Sequence, residues 1–293
     1  MKRLYAPTLL FLSLLTGYVQ SCAQPSNDKM NKSLLWKISG KDLIKPSYLF
    51  GTIHVVCPEN YIWTDKMEAA FKKCNEVCFE MDMDDPVVML SVSEGLKDNS
   101  GKTLKDYFTP EDYAKLSIYM RDSLGMSIMM FNTMRPAILP FIFSGKSSHC
   151  EVSISYEDTL MKAAHSAGKD VKGLENPEEQ IALFNILPAD SVIKDVMNIV
   201  NGVKQEDTNY HKLISAYTSQ DVPALYEMIR ATNDLGNNAD AFIDERNIKW
   251  VPRMVDMMDQ KSVFFAVGAG HLWGDNGVIN LLKKEGYIVS PVK

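Results

Sequence analysis

The chain reads as an α/β protein built on a central, mostly parallel sheet with flanking helices, and three observations lead there. Short apolar runs of strand length alternate with amphipathic stretches of helical period along most of the sequence. Two of the runs lead into the same short terminus, Gly51-Thr52-Ile53-His54 and Gly268-Ala269-Gly270-His271. Two more end on a carboxylate, at Glu80 and Glu175. In an open α/β sheet ligands bind beyond the carboxyl ends of the strands, so these residues are expected at one edge, where the site lies.

At the N-terminus, Lys2 and Arg3 precede an apolar core from Leu9 to Leu15 and the small residue Ser21. That order is a secretory signal over residues 1–21, too short for a membrane span. Val19-Gln20-Ser21-Cys22 resembles a bacterial lipobox, with Gln20 atypical of it, and makes Cys22 the expected lipid attachment. Ordinary cleavage at Ser21-Cys22-Ala23 is the competing reading. Residues 22–31 then form a polar tether, and the main domain occupies 32–293. The expected location is the cell envelope, as an outer-membrane lipoprotein or a periplasmic protein.

The domain opens with a hairpin, Leu34 to Ile38 and Tyr48 to Phe50, turning at Ser39-Gly40. Met67, Ala70 and Phe71 share one face of a helix over Thr64 to Lys73, with Thr64 as N-cap. The strand Glu76 to Phe79 follows and ends at Glu80. Near residues 82–150 the pattern is helical and irregular, beginning with the acidic turn Asp82 to Asp85, and reads as an insertion between strands. Its methionines, Met120, Met126, Met129, Met130 and Met134, would fill a core or line an apolar groove. Glu157 to Ala167 is an amphipathic helix, Asp170 to Leu174 a strand ending at Glu175, and Pro177 a helix start. Further helices lie between Ser191 and Asn238, and a long one spans Ala239 to Gln260. The last unit is strand Val263 to Val267, a helix capped by Asp275 and running to Lys284, and strand Tyr287 to Val289. Strand, helix, strand implies a parallel pair.

With 293 residues, 46% of them hydrophobic, the chain can bury a full core, and a net charge of -6 excludes a nucleic-acid partner, since no basic patch offsets it. Export places Cys57, Cys74, Cys78 and Cys150 where disulfides persist, with three pairings open. No Cys-x-x-Cys pair marks a zinc site, and no HExxH helix is present.

Four strand ends therefore present chemistry: His54, Glu80, Glu175 and His271. Imidazoles suit zinc, manganese, cobalt or iron, and a carboxylate completes such a site or acts as base toward water. Each of these residues taken singly has a bland alternative, a hydrogen-bonded structural role. Gly51-Thr52-Ile53-His54, Phe79-Glu80-Met81-Asp82, Gly173-Leu174-Glu175 with Glu178-Glu179-Gln180, Glu245-Arg246-Asn247, and Gly268-Ala269-Gly270-His271-Leu272 resemble, in order and spacing, the motifs of the TraB/PrgY/GumN family.

That resemblance implies a hydrolase dependent on a divalent metal such as manganese, cobalt or zinc, of peptidase type, acting on a peptide or protein at the envelope. Carried over, His54 and His271 are metal ligands, Glu80 is a third ligand or the general base, and Arg246 faces the site from the long helix. Arg246 would offer donors to an oxyanion, or pair with Glu80 or Glu175. Glu175, Gly51, Gly268 and Gly270 support the site, and Cys57 is a soft fourth ligand or a structural cysteine. A non-catalytic lipoprotein binding a peptide or haem in the same pocket is the alternative, as is hydrolysis of a non-peptide ester.

Overall fold

The computed structural model describes residues 32–144, 150, 152–202, 207–231 and 238–293. The signal, Cys22, the tether and His149 lie outside the described residues. The N-terminal hairpin forms as expected, β1 (Leu35–Ser39) antiparallel to β2 (Ser47–Thr52). A two-residue strand, β3 (Val55–Val56), leads to α1 (Asp65–Lys73), where Thr64 accepts a hydrogen bond from the Met67 N–H and caps the helix. β4 (Glu76–Met81) contains Glu80 within the strand instead of beyond it.

The segment after β4 is helical: α2 (Pro86–Gly95), α3 (Leu104–Tyr107), α4 (Pro110–Leu124) and α5 (Leu139–Ser144). It gathers its own apolar cluster around Leu104, Leu116, Met120 and Leu139, joined by Val192 and Val196 of a later helix. Met120 is core, whereas Met126, Met129 and Met130 are exposed. Gly125, in the left-handed conformation at φ 68°, ends α4 between them.

The chain returns through β5 (Ile154–Ser155), α6 (Tyr156–Ser166) and β6 (Asp170–Glu175), then α7 (Pro177–Phe184), which Asn176 caps. α8 (Ala189–Val200), α9 (Asp207–Thr218) and α10 (Val222–Arg230) follow. The expected long helix begins as a π-helical turn over Asp240–Asp244 and continues as α11 (Glu245–Gln260). β7 (Val263–Gly268), α12 (Val278–Lys284) and β8 (Ile288–Pro291) close the chain.

The six-stranded sheet has the order β6-β4-β7-β2-β1-β8. β6, β4, β7 and β2 are mutually parallel, so four carboxyl ends share one edge. The expected pairing of the last two strands is corrected: β8 passes both β2 and β1 and pairs antiparallel with β1 at the sheet edge. β2 and β4 already flank β7, so β8 cannot pair with it and takes the open side of the hairpin. Asp275 is not the cap of α12 either. Gly277 occupies that position, and the Asp275 carbonyl accepts from Asn280 and Lys284 instead.

β2 is buried at every residue and β7 at all but its last, as suits strands covered on both faces. Phe50, Phe71, Phe264 and Trp63 pack there with ring centroids 5.4–6.1 Å apart. Gly51 allows a close approach: a Cβ there would lie 3.0 Å from Leu272 Cδ2 and 3.1 Å from Ala269 Cα. A side chain would push the two Gly-x-x-His turns apart.

Candidate active site

The register sets the site. Thr52 lies beside Gly268 and Met81 beside Glu175, so His54, Glu80, Glu175 and His271 all emerge at the same edge. α11 lies against that edge. Its apolar face (Trp250, Val251, Met254, Met258) is buried, and this seats Arg246 and Asn247, one turn earlier, over the strand ends.

His271 is buried, with its ring 4.4 Å from the Trp250 ring centroid. Asn247, wholly buried, donates both amide protons, to the carbonyls of His271 (3.1 Å) and Asn276 (2.9 Å). Its Oδ1 therefore faces His271 Nδ1 at 2.8 Å, and only an acceptor can stand there. Nδ1 carries the proton, and Nε2 is left with its lone pair. Burial lowers the His271 pKa from 6.5 to about 3, so the ring is neutral at physiological pH.

Glu80 presents Oε1 to the Gly268 N–H at 2.8 Å and stands 3.9 Å from His271 Nε2. Gly268 permits this, since a Cβ there would lie 3.3 Å from Oε1. Burial pushes the Glu80 carboxyl up, but the charge of Arg246, followed by the two histidines, overrides it and holds the group well below the usual carboxylate range. Glu80 stays ionised.

Arg246 is the hub of the cluster. Nε and Nη2 grip Glu175 at 2.8 Å each, and Nη2 also reaches Glu80 at 2.6 Å. Nη1 donates to the Phe242 carbonyl and to His271 Nε2, both at 3.3 Å. These five acceptors match the five N–H donors of a guanidinium. Every N–H is thus engaged, largely in the ion pairs with Glu80 and Glu175 that were the expected alternative to an oxyanion role. The charge of Arg246 also stacks 4.7 Å over Trp250. Glu175, which accepts from Trp250 Nε1 as well, anchors Arg246 and touches neither histidine.

His54 sits differently. Its side chain is 74% exposed, and Nδ1 lies 3.3 Å from Oε1 of Glu157. The Glu157 carboxylate raises its pKa, an effect that water screens in part. Sequence reasoning missed Glu157 in this role; a glutamate in a helix's first turn is unremarkable. Cys57 is not a ligand, being joined to Cys150, while Cys74 and Cys78 are buried free thiols. Gly270 packs closely under Ile229, where a Cβ would lie 2.8 Å from Cδ1.

Beside Arg246 a cavity of about 420 Å³ opens between α7 and the start of α11, lined by Glu175, Glu179, Leu183, Ile186 and Glu245. On the other side of Arg246 stand two donors of the kind a divalent cation takes, the Nε2 of a neutral imidazole and an ionised carboxylate, both engaged by the guanidinium. Among the described residues, no three His, Cys, Asp or Glu side chains already form an ion cage. Arg246 supplies the cationic partner of Glu80 instead.

The model of the TraB/PrgY/gumN family matches residues 34–291. The chain is 26% identical to Metalloprotease TIKI1 of Danio rerio, over 93% of this chain and 66% of that protein. It is 25% identical to Metalloprotease TIKI1 of Homo sapiens, over 91% of this chain and 63% of that protein. Metalloprotease TIKI2 of Danio rerio is 23% identical, over 92% of this chain and 63% of that protein. The chain thus spans somewhat less than two thirds of the length of these relatives. No solved structure matches it.

Proposed function

The chain belongs to the TraB/PrgY/gumN family, and on that premise we propose that it is a metal-dependent hydrolase of peptidase type. We place it at the cell envelope, exported and held there through a lipid on Cys22. The observation that carries the reading is Glu80 and His271 Nε2 facing each other at 3.9 Å on the carboxyl edge of a parallel sheet. The names of the relatives support hydrolysis of peptides.

His271, and His54 once it has given up its proton, would hold the cation, which supplies Lewis acidity toward a carbonyl and toward water when bound. The chain's own residues do the rest. Asn247 keeps the His271 lone pair on Nε2, and the Gly268 N–H and Arg246 fix both oxygens of Glu80. Glu80, ionised and unable to turn, accepts a proton from an attacking water. The cavity beside Arg246 and Glu175, apolar at Leu183 and Ile186, would admit a substrate side chain.

The test is cleavage of a peptide library by the purified protein with added manganese, cobalt or zinc. Glu80→Gln keeps the shape and removes the proton acceptor, so turnover should fall by about 10²-fold or more. Equal turnover by both proteins, or saturable peptide or haem binding with no product from any library, sinks the reading.

A further inference from the structure

We propose that Glu157 is a positioning residue of this site, holding His54 so that Nδ1 is always the donor and Nε2 is the atom offered to ligand or substrate. The inference rests on the hydrolase reading above for its function, but its geometry stands apart. An ionised carboxylate has only acceptors, so the nitrogen facing it must carry a proton. Glu157 Oε1 receives His54 Nδ1 and also the Thr52 hydroxyl at 2.9 Å, and Oε2 receives the Ser155 hydroxyl at 3.2 Å.

Residues 103 apart in sequence meet here because a small device joins them. β3, which starts one residue after His54, pairs antiparallel with β5, which ends two residues before Glu157; Val55 faces Ser155 and Val56 faces Ile154. The Cys57–Cys150 disulfide closes the same ribbon. An acidic residue in the first turn of a helix needs none of this, since helix-end electrostatics act equally on a side chain in solvent. Asp158, the next residue, plays that ordinary part and pairs with Lys162.

The arrangement repeats what Asn247 does for His271. Both imidazoles have Nδ1 tied to a side-chain oxygen, the outer contact by which metal-binding histidines are oriented. In one case the oxygen comes from the helix over the sheet, in the other from the first turn of α6, next to the β3–β5 ribbon.

The experiment is cobalt(II) titration of the full-length protein, followed by visible absorption, for wild type, His54→Ala, Glu157→Gln and Glu157→Leu. Gln keeps an acceptor oxygen and Leu does not. Loss of an orienting partner is expected to weaken cobalt binding about 10–100-fold in Glu157→Leu, with Glu157→Gln close to wild type. Equal affinity in all three Glu157 forms overturns the proposal. If wild type and His54→Ala bind cobalt equally, the metal reading itself has failed, and nitrogen-15 spectra of the metal-free His54 ring, recorded at alkaline pH where the ring is neutral, decide the positioning alone. A Nδ1 proton kept in wild type and Glu157→Gln but not in Glu157→Leu upholds it; identical rings in all three overturn it.

Discussion

The two Gly-x-x-His termini share a tetrapeptide pattern and place their imidazoles in opposite physical states. His271 is sealed beneath α11, stacked on Trp250, neutral, and locked by a neutral amide. His54 leaves the sheet for a surface ribbon, stays largely in water, and leans on a carboxylate. The motif brings a histidine to the sheet edge; what covers that edge then decides its charge. An acid–base site needs such a difference, because two identical histidines would titrate together.

The largest expected effect lies at Arg246. Arg246→Met leaves Glu80 and Glu175 as buried, unpaired charges, and unfolding by denaturant should show a loss of about 3–5 kcal/mol. A loss under about 1 kcal/mol would mean that the cluster is solvated. Asn247→Leu comes next, stranding His271 Nδ1 and two backbone carbonyls at about 1–3 kcal/mol for each group left unsatisfied. Its thermal midpoint should fall well below that of any Glu157 variant.

The pH dependence sharpens the contrast, because the two rings act with opposite sign. His271 titrates lower in the fold than its ordinary 6.5, near 3. The unfolded chain therefore binds more protons between those values, and stability falls as acid is added, by up to about 1.4 kcal/mol per pH unit. Glu80 adds to the loss below its ordinary 4.5. His54, raised toward about 9, contributes stability that is fully present below 6.5 and lost as pH rises through the upper value. Its exposure keeps that contribution small. His271→Gln should flatten the upper part of the acid limb, and His54→Gln should leave it unchanged. The smallest effect is His54→Ala at neutral pH, expected within about 0.5 kcal/mol of wild type by denaturant unfolding, as for other exposed positions.

Much of this was readable from the chain. Strand-length apolar runs such as Val263 to Val267 have one way to be buried, and the glycines at 51 and 268 mark where backbones crowd. His54, Glu80, Glu175 and His271 reach one edge because β2, β4, β6 and β7 are parallel. The placement of β8 was not readable, since strand, helix, strand gives direction but not which neighbour is vacant. Nor was Glu157, whose role depends on a ribbon between residues far apart in sequence. The duty of Arg246 was open between oxyanion donor and ion pair until its five acceptors could be counted, a tertiary fact that no local pattern encodes.

All the chemistry proposed for this site depends on His271 meeting Glu80 with an unprotonated Nε2. Nitrogen-15 spectroscopy of the imidazoles in the metal-free protein at neutral pH reads this directly. The expected result is a neutral His271 with its proton on Nδ1, shifting to a mixed population in Asn247→Leu. A His271 ring protonated at Nε2, alone or on both nitrogens, would contradict it.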